Sequence, residues 1–250
     1  PIGGWLVAMA GPAWALGIDA ASYLLPITSV MFLLRPQRER EQRSAPGKQA
    51  TLLNAWQQCG STLQGVLTLT AVLCVVNFFH PGLAPLIADQ VIGPDPRDLG
   101  LFTSVLAAGS IAGGVVLQRN SRPFSHRPFL TIGCFGLLTA VAQVGMAASP
   151  GMEFSLAMAF LIGAGTAGLL SSCNLITQIG SAQVVRGRMA GLSQIAFLGG
   201  GGLSGLLAAL MVMATSLSTT FAVTGGIGAV LAVLWIRRRG GRTLEPIRST

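Results

Sequence analysis

Charge is scarce in this sequence: Asp, Glu, Lys and Arg make up 10% of its 250 residues, against roughly 25% in an average soluble domain. A water-facing surface cannot be assembled from so few ionised groups. Histidine occurs only at His80 and His126, acidic pairs are missing from the apolar stretches, and neither a GxSxG nor an HExxH pattern occurs. Hydrolytic and metal-dependent catalysis need such clusters, and a membrane-embedded transferase would need Asp, His or Cys gathered at the bilayer face. The sequence therefore reads as non-enzymatic, with no cofactor and no bound metal. Cys59, Cys74, Cys134 and Cys173 stand far apart without a CxxC pair, which excludes a zinc or dithiol framework by spacing. The net charge of +8 comes without the base-stacking aromatics or binding motif that a nucleic-acid partner requires.

Apolar length is what the chain has in abundance. Hydrophobic residues form 51% of it, at a mean hydropathy of +0.65. About 20 consecutive apolar residues cross the roughly 30 Å hydrocarbon core of a bilayer as a helix. Windows of about 19 residues predict spans at Ala13 to Leu34, Leu63 to Ile87, Leu99 to Leu117, Phe129 to Ala148, Phe154 to Ile179, Met189 to Ala214 and Thr219 to Trp235. The expected fold is an all-α membrane protein with about seven transmembrane helices.

The connections carry the topology. Arg35, Arg38, Arg40, Arg43 and Lys48 follow the first span; Arg119, Arg122 and Arg127 the third; Arg186 and Arg188 the fifth; and Arg237, Arg238, Arg239, Arg242 and Arg248 the last. All of the 16 Lys and Arg residues except Arg97 thus fall on alternate connections. Cytoplasmic loops collect positive charge, so these connections are assigned to the cytoplasm. A missed or invented span would have scrambled the alternation.

Residues 1–35 read as the end of one helix, with Pro1 to Ala10 too short to cross a bilayer, followed by one whole span. Residues 36–62 read as a cytoplasmic linker whose later part, around Trp56, Gln57 and Gln58, is either an amphipathic interfacial helix or unstructured. Residues 63–250 read as a six-helix bundle with a short tail. A three-plus-three repeat is visible in that bundle, because Gly109, Gly113 and Gly114 in the second span of one trio correspond to Gly199 to Gly202 and Gly205 in the second span of the other. Such repeats build many transporter halves.

Gly109 with Gly113, and Gly201 with Gly205, have the small-xxx-small spacing that lets membrane helices approach closely. Gly163, Gly165 and Gly168 spell GxGxxG, but the dinucleotide fingerprint needs a preceding strand and an acidic residue about 20 positions on. Here the motif sits inside a span and is read as helix packing. Asp19 is an ionisable group within a span, hence either a functional group or an interface-level carboxylate. His80, beside Asn77 and ahead of Pro81 and Pro85, is either a proton-coupling group or a structural histidine; the prolines bend the helix and free carbonyls. Gln143, Asn174, Gln178 and Gln194 either bond a substrate or bridge helices.

Three stretches together resemble the major facilitator superfamily, in particular its siderophore-exporter-like and multidrug-exporter-like branch. Pro1-Ile-Gly-Gly-Trp-Leu, with Gly11-Pro12-Ala13-Trp14 and Asp19-Ala-Ala-Ser-Tyr23, is similar to the family's fifth-to-sixth helix turn. Pro85-Leu-Ile-Ala-Asp89 resembles the outer end of its seventh helix. Asn174-Leu-Ile-Thr-Gln178, then Arg186-Gly187-Arg188-Met-Ala-Gly-Leu and Phe197-Leu-Gly-Gly, resemble the tenth helix, an inner-loop motif and the eleventh helix. The loop Gln118 to His126 lacks the Asp-Arg and Gly-Arg-Arg core common in the superfamily, and Ser181-Ala-Gln replaces a frequent acidic, proline-containing turn, so a charge-relay gate through these loops is not expected.

The resemblance implies helices six to twelve of a twelve-helix transporter, partnered by the missing N-terminal half of the same transporter, the lipid bilayer and a small-molecule substrate, with no nucleic acid involved. It also implies proton-driven alternating access in a multi-pass protein of the bacterial inner membrane, exporting drug-like or siderophore-like amphipathic molecules. Asn77, His80, Asn174 and Gln178 are the expected substrate contacts, and Asp19 and His80 the coupling candidates. The alternative is a non-transporting or truncated membrane protein with an assembly or signalling role. The threading itself is checkable: accessibility tags at Arg122 and at Pro94 should be reached from opposite faces of the membrane, and exposure on one shared face would overturn the topology.

Overall fold

A computed structural model describes residues 11–33, 52–92, 96–182, 185–241 and 243. Residues 1–10 and 34–51, with the expected helix tail and most of the expected linker, lie outside the described residues. The elements in chain order are α1 (Pro12–Ser22), α2 (Leu24–Leu33), α3 (Leu52–Gln58), α4 (Ser61–Asn77), α5 (Ala84–Ile87), α6 (Pro96–Arg119), α7 (Ser121–His126), α8 (Pro128–Ala147), α9 (Met152–Ile179), α10 (Arg186–Gln194), α11 (Gly200–Ala214) and α12 (Leu217–Arg239). Two wide π-helical turns, Ala88–Ile92 and Ile195–Gly199, follow α5 and join α10 to α11. Among the described residues there is no strand. The protein is an all-α membrane bundle.

Among the described residues five helices are long and apolar enough to cross a membrane: α6, α8, α9, the continuous α10–α11 rod and α12. The two remaining expected spans are each interrupted, and proline is the cause in both. A proline lacks the N–H that would bond to the carbonyl four residues back, and its ring crowds that carbonyl. Pro26 withdraws the donor for Ser22, and the first span breaks there into α1 and α2, with a turn at Tyr23. Pro81 withdraws the donor for Asn77, where α4 ends, and the chain turns through residues 78–83 before α5. Of the two expected states of the later linker, residues 52–58 adopt the helix, α3; its Ala55 is buried, and the Trp56 carbonyl accepts from Gln64 Nε2 at 2.8 Å.

The helices alternate in direction, so that Arg119, Arg127, Arg186 and Arg237–Arg239 gather at one end while Asp89, Asp98 and Glu153 lie at the other. Leu203, Leu206, Leu207, Leu210 and Met213 of α11 are exposed, an apolar surface that suits lipid and would be unfavourable in water. The main packed pairs follow the three-plus-three repeat: exchanging α4 with α9, α6 with α11 and α8 with α12 carries the α6–α9 pair onto α11–α4, carries α8–α9 onto α12–α4, and returns α8–α12 to itself.

The closest of these contacts is α6 on α9. A Cβ at Gly109 would overlap the Phe160 carbonyl oxygen, one at Gly113 the Ala164 carbonyl oxygen, and one at Gly163 the Leu106 carbonyl oxygen. Ser110 Oγ reaches across to the Gly163 carbonyl at 3.3 Å. The opposite side of α9 meets α8, where Gly165 faces Thr139 and the Phe135 carbonyl, and Gly168 faces the Phe135 ring. The GxGxxG run therefore seats α9 between two neighbours. Of the second small-xxx-small pair, Gly201 meets the Phe78 ring while Gly205 faces open space.

Where the obstacle is a backbone carbonyl, the helices cannot repack around an added methyl. Gly113→Ala should cost about 1–3 kcal/mol, the usual scale of overpacking, and lower the thermal unfolding midpoint in detergent. Gly114→Ala, with nothing within 4 Å of the new Cβ, should leave it unchanged; equal midpoints for the two variants would contradict this packing.

Candidate translocation cavity

The glycine contact occupies one face of each helix in the α6–α9 pair, and the adjoining faces carry matched stripes. Ile111, Gly114, Val115 and Gln118 on α6, and Ser171, Asn174, Leu175 and Gln178 on α9, are each spaced i, i+3, i+4, i+7, the period that places side chains on one side of a helix. Together with Leu117 and Ser121 they line a cavity of about 690 Å³ toward the basic end of the bundle. Its polar lining is Gln118, Ser121, Ser171, Asn174 and Gln178, and among the described residues no lining side chain is ionisable.

Asn174 is held in place from α10: Ser193, itself fully buried, donates its hydroxyl to Asn174 Oδ1 at 2.7 Å. With that oxygen engaged, the amide donors of Asn174 remain for the cavity. Gln118 and Gln178 are exposed at its mouth. Such a lining offers hydrogen bonds in both senses to hydroxyl, carbonyl or amide groups beside apolar wall. The described lining supplies no counter-ion, so a strongly charged solute would be desolvated against it without compensation.

The four expected contacts do not converge. Asn174 and Gln178 share the cavity, whereas Asn77 and His80 do not line it. Asn77 is 4% exposed at the end of α4, with Nδ2 3.5 Å from the Gly136 carbonyl and its amide group packed where a Cβ at Gly228 would sit. The Asn77 carbonyl, deprived of its helical donor by Pro81, accepts from Gln143 Nε2 at 2.6 Å. Gln143 is thus a bridge between α8 and the broken end of α4. His80 is 2% exposed in the turn beyond, edge-on to Phe78 at 5.1 Å, with Nδ1 lacking a hydrogen-bond partner among the described residues. The side chain of Asp19, on α1, lies outside the described residues. Arg186 and Gly187 are exposed and Arg188 half-buried at the start of α10.

Gln118, Ser121, Ser171 and Ser193 were not singled out by the sequence. The hydropathy window closes the third span at Leu117, which sets Gln118 in a loop, while the helix continues to Arg119. The stripe spacing on the two helices is the signal that could have found Gln118 and Ser171; Ser121 on α7 and Ser193 on α10 lie off both stripes and needed the fold.

Residues 1–183 match the Major Facilitator Superfamily. The chain belongs to that superfamily. The matched stretch contains both walls of the cavity, α6 and α9, and members of the superfamily transport solutes rather than transform them. No curated protein and no solved structure matches the chain. This superfamily member is a multi-pass membrane transporter, and its hydrogen-bonded helix break gives a direct test. Gln143→Leu strips the freed Asn77 carbonyl of its donor and should cost about 1–2 kcal/mol, the scale of interhelical hydrogen bonds in membranes, read as a lower unfolding midpoint in detergent. An unchanged midpoint would show that the bridge contributes nothing.

Proposed function

We propose that this transporter exports small amphipathic molecules, neutral or zwitterionic, by proton-coupled alternating access in the bacterial inner membrane. The observation that carries the reading is the lining of the α6–α9 cavity, uncharged among the described residues and open on one side, with a volume of about 690 Å³ against roughly 300–1,000 Å³ for typical small-molecule sites. Asn174 and Gln178 are the substrate contacts, joined by Gln118 and Ser121 on the facing helix. An N-terminal six-helix bundle forms the opposite wall of the path. Export rather than import rests on the resemblance of the Asn174–Gln178 and Arg186–Gly187–Arg188 stretches to the exporter branch.

Coupling falls to the two groups that the sequence sets inside its spans, His80 and Asp19. The support for His80 is its place at a helix break, buried, with Nδ1 lacking a hydrogen-bond partner among the described residues. Imidazole can exchange a proton near neutral pH, and a broken membrane helix is where transporters bind coupling ions.

The test is transport by the whole transporter, both bundles included, in proteoliposomes under an imposed pH gradient. Neutral and zwitterionic amphipathic dyes should move and a dianionic dye of the same size should not. Replacing Asn174 and Gln178 together by Leu should raise KM about tenfold, the equivalent of about 1.4 kcal/mol of lost hydrogen bonding. His80→Ala should remove the dependence on the pH gradient while substrate binding persists. Preferred movement of the dianion would refute the substrate class, and an unaltered pH dependence in His80→Ala would remove His80 from coupling.

A further inference from the structure

A second, separate cavity of about 750 Å³ lies at the basic end, between the last turn of α6, the short helix α7 and the first half of α8. Its construction is local. Thr131 of α8 donates its hydroxyl to the Phe124 carbonyl at 2.8 Å, and Phe124 and Phe135 meet edge-to-face at 6.0 Å, so α7 is fixed as a cap over the end of α8. Below the cap, Leu130, Cys134 and Leu138 run down α8 with the spacing of one helix face, and Val116 faces them from α6. Val116 lies off the α6 stripe that lines the polar cavity, so the two sites use different sides of that helix.

The groove has one apolar end and one cationic end. Arg127 and His126 stand exposed at its mouth, and the acidic residues whose side chains are described, Asp89, Asp98 and Glu153, belong to the opposite end of the bundle. From Arg127 to Leu138 the groove descends about 16 Å at about 1.5 Å per helical residue, close to half of the roughly 30 Å hydrocarbon core. That is the depth of a single leaflet. A cation at headgroup level above an apolar trough of leaflet depth matches an anionic lipid in both charge and length, and basic pockets between membrane helices on the cytoplasmic side bind such headgroups.

We propose that the groove between α6, α7 and α8 is a binding site for an anionic phospholipid, with the phosphate held by Arg127 and His126 and one acyl chain lying along Leu130, Cys134 and Leu138. The lipid packs against α7, the connection between two spans, and so ties that connection to the bilayer surface.

The experiment is native mass spectrometry of the full chain in detergent, mixed with equal amounts of phosphatidylglycerol and phosphatidylcholine of identical acyl chains. Phosphatidylglycerol adducts should dominate by about fivefold, the selectivity expected of one well-placed cation. Arg127→Gln should bring the two lipids to parity, Arg127→Lys should keep the preference, and Leu130→Trp, which fills the trough and leaves the charges, should lower retention of phosphatidylglycerol. Arg238→Gln, on the same basic end but outside the groove, should change nothing. Parity in the unaltered chain would overturn the proposal. So would a preference that survives both Arg127→Gln and Leu130→Trp, which would assign the selectivity to the basic surface at large, or one lost equally in Arg127→Lys.

Discussion

Within hydrocarbon no water is at hand to satisfy a peptide group, and an orphaned carbonyl there costs several kcal/mol. This constraint decides where the chain can break. Proline forces two interruptions, at Pro26 and after Asn77. At the second, inside the bundle, the exposed carbonyl is met by the side chain of Gln143 from the neighbouring helix. Asn77 and Gln143 are the polar pair that makes a discontinuous helix tolerable at this depth, and the turn they hold carries His80.

Close packing follows from the same solvent. Lipid tails are as apolar as leucine, so association between spans depends on van der Waals fit. The bundle obtains that fit by removing side chains: Gly109, Gly113 and Gly163 bring α6 and α9 into backbone contact, Gly165 brings α9 against the α8 backbone, and Gly168 makes room for the Phe135 ring. The consequence for the cavity is geometric. The helices that touch through glycine also carry the stripes ending in Gln118 and Gln178, so the separation of the cavity walls is set by the smallest side chain available. Ser193 adds a lateral restraint by bonding Asn174 from α10.

Much of this was legible in the sequence because hydrophobic thickness and loop charge are linear properties. The five continuous spans were found within a few residues, the arginine alternation gave the helix directions, and the glycine spacing of α6 announced a close neighbour. A window average runs through Pro26 and Pro81 alike and returns unbroken spans; the bend at Pro81 is legible only from the residue itself, and Pro26 carries no second signal beside it. Which glycine faces backbone and which faces open space, as with Gly113 and Gly114, depends on azimuth and on the neighbour's identity. A window sum carries neither. The same limit explains the site: Asn174 and Gln178 stood out as polar groups in an apolar run, while Gln118 fell one residue beyond the hydropathy boundary. The polar pair at Asn77 and Gln143 was visible as composition, but its bonding needed the fold.

The bridge across the broken end of α4 also bears on how this sequence can change over generations. With Pro81 present and Gln143 lost, a carbonyl is stranded in the bundle; with Pro81 replaced by an ordinary residue, a backbone N–H could reach the Asn77 oxygen, which has a second lone pair, and the bridge would be dispensable. The dependence therefore runs one way between positions 62 residues apart in number. Exchange of the proline frees the glutamine to drift, whereas loss of the glutamine first passes through a less stable protein.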